Sequence, residues 1–142
     1  YYIKSKKQFF NNCMKWLMPG GYLVVHLVDK DRFTPIIPNA ITEIEKSFND
    51  NETHTKSQIK LNDYEYTSIF IKNKNNPKNA CLREKFIDVN NNVRVNEHTM
   101  FMDTQKNILS IAKKEGFILF AQLSLELVNY QYQYIYILQK PN

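Results

Sequence analysis

The 142 residues amount to one domain's worth of material, and a 43% hydrophobic fraction excludes a disordered tail. Two cysteines, Cys13 and Cys81, are too few for a disulfide scaffold and lack metal-ligand spacing, so a reducing, cytoplasmic setting is expected and no metal. The net charge of +5 invites a nucleic-acid reading, but only Arg32, Arg83 and Arg94 among the 19 basic residues are arginines, and base recognition relies on arginine forks and clustered basic faces.

The first predicted element is a helix over Ser5–Met18. Phe9, Phe10, Cys13, Met14 and Leu17 recur at three- and four-residue spacing as an apolar stripe, with Trp16 at its flank as packing, while Lys6 and Lys7 fall on the wet side. Pro19-Gly20-Gly21 stops the helix, because proline cannot continue it and glycine permits a left-handed turn. Tyr22–Val28 then reads as a strand that is apolar on both faces, as in a sheet covered by helices on each side. It is too short to span a bilayer, so no membrane is expected, and no signal peptide precedes it. A chain that opens on Tyr1 in place of methionine reads as a piece of something longer.

Pro35 and Pro38 mark a loop, Asn39–Phe48 reads as a short helix, and Asn49–Lys56 as a polar, mobile stretch. Four alternating segments follow, Ser57–Leu61, Tyr64–Lys72, Cys81–Val89 and Val93–Met102, whose period of two predicts antiparallel strands with one wetter face. Thr104 is placed to cap a helix that runs to Glu115, with Ile108, Leu109, Ile111 and Ala112 inward and Gly116 at its end. Phe117–Leu125 and Tyr130–Gln139 are strands, and tyrosines at 130, 132, 134 and 136 would line one face of the last as a ladder. The short link between these two strands favours a hairpin.

The sequence has no phosphate loop, glycine-rich fingerprint or Ser/His/Asp arrangement. His26 reads either as a satisfied core histidine or as a general base. Asp29, Asp31 and Arg32 follow the strand Tyr22–Val28, where open α/β sheets place ligands beyond the carboxyl ends, or else form a solvated turn with an ion pair. Glu97-His98-Thr99 lies on an alternating strand, where a surface position is the plainer reading.

The run from Phe9 to Val28, with Leu17-Met18-Pro19-Gly20-Gly21 at its centre, resembles the late part of class I S-adenosylmethionine-dependent methyltransferases. In that family a helix ending in a Leu-x-Pro-Gly-Gly turn leads into the fifth strand of a Rossmann-like sheet. The helix closing on Gly116-Phe117 and the final strands are similar to the family's ending. Thr99–Met102 leading into Thr104 is similar to small-molecule-type members with an antiparallel β insertion.

The resemblance implies an α/β fold comprising the C-terminal part of that sheet. Its last three strands would lie in the order Tyr22–Val28, Tyr130–Gln139, Phe117–Leu125, with the final strand antiparallel to both neighbours. Residues 1–29 and 103–142 would form the core, and 30–102 an inserted lid over the carboxyl end of Tyr22–Val28. The family's glycine-rich loop and ribose-binding acidic residue have no counterpart, so no cofactor-binding residue is expected in this chain. S-adenosylmethionine would belong to the intact enzyme and be bound only weakly here.

The implied activity is methyl transfer to N, O or C of a small molecule. His26 is the candidate base; Asp29, Arg32, Tyr66, Arg83 and His98 are the candidate substrate residues, with Arg83 or Arg94 suited to a carboxylate. Two rivals are a binding module that kept the sheet without catalysis and a basic nucleic-acid binder. The unprotected edge of Tyr22–Val28 predicts self-association.

Overall fold

The computed structural model describes residues 1–33, 35, 40–46 and 51–142, with backbone only over 42–46. The chain forms two compact units, one of Ile3–Phe33 with Asp103–Asn142 and the other of Tyr1–Tyr2 with Thr34–Met102.

In the first unit, α1 (Lys6–Trp16) starts at Ser5, whose Oγ accepts from the Gln8 N–H at 3.3 Å, and buries Phe10 and Cys13. Its far end is closed by Lys140, whose Nζ donates to the carbonyls of Met14 and Leu17 at 2.8 Å each; a cation there also suits the negative end of the helix dipole. Gly20 has φ of +74°, and its N–H donates to the Lys140 carbonyl. A Cβ on Gly21 would stand 2.8 Å from the Met18 carbonyl oxygen, so the Pro-Gly-Gly turn needs its second glycine for space.

The turn feeds β1 (Tyr22–Val28). The helix α2 (Gln105–Lys114) is capped by Thr104, Oγ1 accepting from the Asn107 N–H at 3.2 Å, and ends at Gly116 with φ of +102°. Then come β7 (Ile118–Ser124) and β8 (Gln133–Gln139), and the sheet order is β1-β8-β7 with β8 antiparallel to both neighbours. The last strand in sequence therefore lies in the middle, as expected.

Leu27, Tyr136 and Leu138 share one face of this sheet and are buried, and the Tyr136 hydroxyl donates to Oε1 of Gln105 on α2. The opposite face is open along β1 and β7 within this unit, although Val28 and Gln133 at its one end are buried. Tyr22, Val24 and His26 on β1 are exposed, as are Phe120, packed edge-on to Tyr22 with centroids 5.0 Å apart, and Leu123. The expectation of a strand covered on both faces is thus corrected: both helices of this unit are amphipathic, and within the unit the apolar row Tyr22–Val24 has no layer over it. His26 is correspondingly no core histidine.

Two further details differ. Trp16 is 76% exposed, outside the stripe that Phe10 and Cys13 set, whereas Lys6 is buried. Burial holds the Lys6 ammonium below its ordinary pKa, with Asp103 acting in the opposite sense, and Nζ donates to the Ile3 carbonyl. The tyrosine ladder is shortened to Tyr134 and Tyr136. A 3-10 turn over Glu126–Val128 and left-handed φ values at Asn129 and Tyr132 keep the chain out of the sheet until Gln133.

The second unit is a five-stranded antiparallel sheet in chain order: β2 (Ile41–Lys46), β3 (Glu52–Lys60), β4 (Tyr64–Asn73), β5 (Asn79–Asp88) and β6 (Val93–Phe101). The segment expected to be a helix over Asn39–Phe48 is instead β2. Ile41, Thr42 and Ile44 are β-branched, and pairing with β3 from Ile41↔Gln58 to Lys46↔Thr53 fixes the extended form. The stretch expected to be mobile is largely the start of β3, paired with both β2 and β4. Pro38 and 47–50 lie outside the described residues. Among those described, no helix is long and apolar enough to cross a membrane.

Candidate functional site

At the carboxyl end of β1 the chain turns sharply. The Asp29 Oδ1 accepts from the N–H groups of Asp31 and Arg32 at 3.2 and 3.3 Å, and Oδ2 accepts from Arg32 Nε at 2.7 Å. The Arg32 hydrogen bond, opposed by partial desolvation and reinforced by the two backbone donors, holds the Asp29 carboxyl below the usual carboxylate range. The Arg32 guanidinium also lies over the Tyr132 ring at 4.7 Å. This turn borders a polar cleft of about 340 Å³ completed by Thr104, Gln105 and Lys106 at the start of α2, Gln122 on β7 and Tyr134 on β8. The cleft occupies the position where α/β sheets place ligands. Asp29 and Arg32 are brought together here; His26 is outside the cleft, on the bare face of β1 opposite Ile135.

The five-stranded unit holds a second cluster. The registers Tyr66↔Phe86, Ser68↔Glu84 and Leu82↔His98 put Tyr66, Glu84, Phe86, Arg94 and His98 on one face. The Tyr66 hydroxyl donates to Glu84 Oε1 at 2.7 Å, and Glu84 Oε2 is 3.3 Å from His98 Nε2. Burial first, and then the Glu84 carboxylate, push the Tyr66 phenol well above its ordinary pKa, so it remains a donor at any working pH. Tyr2 packs edge-on to His98 at 5.4 Å, Phe86 lies 4.8 Å from Tyr66, and the Arg94 guanidinium covers Phe86 at 4.5 Å.

Arg83 is not part of this cluster. It points to the opposite face, where Nε and Nη2 both donate to Glu97 Oε2 at 2.9 and 2.8 Å. The sequence reading named Tyr66, Arg83 and His98 as separate candidates and missed the carboxylate that joins Tyr66 to His98. Its only sequence signal is the even spacing of positions that share a strand face. Lys106 and Gln122 were missed as well, since they reach the cleft only through the packing of α2 and β7.

Among the described residues no group of three His, Cys, Asp or Glu side chains is arranged to hold a metal ion. Nor do they fit S-adenosylmethionine. All three glycines are spent in the turns that close α1 and α2, and the carboxylate nearest the sheet end, Asp29, is occupied by Arg32 and its own turn. No step through that group is derived from these residues.

No protein-family model matches the sequence, and no curated protein matches it. Solved structures do match. The CcbJ methyltransferase from Streptomyces caelestis superposes with a TM-score of 0.59 at 9% identity, over 96% of this chain and 50% of its own. An S-adenosylmethionine-dependent methyltransferase from Clostridium acetobutylicum gives 0.53 at 10% identity, over 99% of this chain and 54% of its own. DesVI from Streptomyces venezuelae gives 0.52 at 13% identity, again over 99% and 54%. At such identities the likeness is one of fold, and the chain spans about half the length of the structures it matches. The sheet order expected from the resemblance, with the last strand in the middle and antiparallel to both neighbours, is the one this chain has, and its fold is like that of the methyltransferases it matches.

Proposed function

We propose that the intact protein is an S-adenosylmethionine-dependent methyltransferase acting on N, O or C of a small molecule, and that this chain supplies its acceptor side. The fold likeness over nearly the whole chain carries the reading, and the polar cleft at the carboxyl end of β1 supports it. Methyl transfer is an in-line displacement, so much of the catalysis is positioning, and a base is needed only where the acceptor atom is protonated.

In this reading Asp29 holds the β1 turn and aims Arg32, which with Lys30 and Lys106 gives the cleft its cationic groups. Gln122 and Tyr134 offer hydrogen bonds to the acceptor. The five-stranded unit, inserted in sequence between Phe33 and Asp103, contributes Tyr66 and His98 as further candidate acceptor residues. Arg83, engaged by Glu97, is left out.

The test is to express the protein with the coding sequence upstream of Tyr1 and to titrate it calorimetrically with S-adenosylmethionine. Micromolar affinity is expected of that longer protein, and none tighter than about millimolar, roughly −4 kcal/mol, of the 142 residues alone. A longer protein that still fails to bind would replace the enzyme by a non-catalytic binding module of the same fold.

A further inference from the structure

We propose that the groove between α2 and the outer edge of β7 binds a small amphiphile with one anionic end, a short-chain carboxylate. All of its lining residues belong to the unit of Ile3–Phe33 and Asp103–Asn142, and the site stands apart from the methyl-transfer reading. The groove exists because the helical layer stops short of the edge strand. Leu119 on β7 pairs with Leu138 on β8, so the two side chains share the face that carries α2. Leu138 is 2% exposed there, but Leu119 is 50% exposed. Between them and α2 lies a space of about 470 Å³, floored by Ala112, Phe117 and Leu138 and walled by Leu109 and Leu119. That volume falls within the range of small-molecule sites.

The charge around this space has one sign. Lys106, Leu109, Ser110 and Lys113 recur at three- and four-residue spacing, so they form one stripe of α2 along the groove. The two lysines stand two turns apart, about 10 Å along the axis, with the leucine between them. Among the described residues they are the only charged ones lining the groove, and neither is in an ion pair. An apolar body fits the floor, and a carboxylate at its end meets an ammonium at either end of the stripe. A neutral head gains burial without that attraction, and an ammonium head is repelled. Among the described residues no strand pairs with the outer edge of β7, which makes an extended peptide a rival occupant. The bulge between Leu119 and Ala121 disfavours it, because it breaks the regular run of edge groups that a further strand needs.

Four probes separate body, head and sign: hexanoate, hexanol, hexylammonium and acetate, each titrated at pH 7 against the full chain while the Leu109, Ala112 and Leu119 methyl resonances are followed by NMR. Hexanoate should shift these methyls saturably, with a dissociation constant on the order of a few millimolar. Hexanol should bind at least about threefold more weakly and hexylammonium more weakly again. Acetate should not saturate, and added salt should weaken hexanoate alone. Lys106→Gln combined with Lys113→Gln, both at exposed positions, should bring hexanoate down to the affinity of hexanol. Equal binding of hexanol or hexylammonium, saturation by acetate, no saturation by hexanoate, or an unchanged double variant would each overturn the proposal. So would shifts centred on Gln122 and Tyr134, which place the carboxylate in the cleft that Lys106 also borders. Shifts at Leu109 and Leu119 on concentrating the chain without a probe would give the groove to a second copy and overturn it too. The comparison of probes on the unmodified chain decides the matter even if the double variant does not fold. Since no probe involves S-adenosylmethionine, failure here leaves the methyl-transfer reading to its own calorimetric test.

Discussion

The outer edge of β1 has no strand beside it among the described residues, and its sequence, Tyr-Leu-Val-Val-His-Leu-Val, contains no proline, lysine or acidic residue to discourage pairing. Antiparallel pairing with a second copy about Val25 would set Tyr22 against Val28 and Val24 against His26, keeping both faces in register. Such a ladder forms about six hydrogen bonds at a net ~0.5–1.5 kcal/mol each, or roughly 3–9 kcal/mol. Burying about 200 Å² of the bare face, where Val24 and Phe120 are each 60% exposed, adds about 5 kcal/mol. The gains are of the same order as an association cost of ~4–15 kcal/mol, so the expected dimer is weak and reversible. Sedimentation velocity on the 142-residue chain up to about 0.5 mM should therefore show reversible self-association. Val24→Lys, which places an ammonium on the bare face beside the pairing axis, should weaken it at least about tenfold, a loss of ~1.4 kcal/mol or more. A monomer at every concentration, or a Val24→Lys chain that associates as well as the parent, would refute the reasoning.

Three further outcomes follow from the turns that frame the sheet. Gly21→Ala brings a Cβ to 2.8 Å from the Met18 carbonyl oxygen, a backbone atom that cannot swing aside, and should lower stability by about 1–3 kcal/mol in urea titration. Lys140→Met removes both charge-assisted bonds to the end of α1 and should cost about 1.5–3 kcal/mol by the same measurement. The Asp29 carboxyl has a folded-state pKa below its unfolded one, so the turn's contribution is full above the unfolded pKa and is lost as pH falls through the lower folded value. A carbon-13 titration should find Asp29 ionising below an ordinary aspartate, and Arg32→Gln should return it towards normal. An ordinary pKa in the parent chain would count against the observed hydrogen bonds.

What was legible in the sequence was whatever local chemistry decides. Pro19-Gly20-Gly21 and Thr104 mark their turn and cap without help from distant residues, and the alternation through Tyr64–Lys72 needs only a half-covered sheet. The β2 segment was illegible for the opposite reason. Ile41–Lys46 mixes β-branched residues with glutamates that suit a helix, and only the partner strand β3 decides between the two. The cover of β1 was likewise not written in β1, because an apolar residue such as Val24 reads the same whether or not another layer lies over it.

The second cluster shows where the boundary falls. Tyr66, Glu84, Arg94 and His98 are all even-numbered, and Arg83 and Glu97 are odd, yet parity along one strand says nothing about the next strand until the register is known. Here Tyr66 pairs with Phe86 and Leu82 with His98, so even positions meet even positions across β4, β5 and β6. That agreement depends on the turn at 89–92, where Asp88 gathers the N–H groups of Asn90 and Asn92 and Asn91 takes a φ of +62°. A turn longer by one residue would rotate β6 by one face. Glu97 would then stand beside Glu84 in place of His98, and the carboxylate would face a like charge where it now faces an imidazole. The composition of the cluster is therefore set by the length of an asparagine turn, a property of the chain that no residue in the cluster reveals by itself.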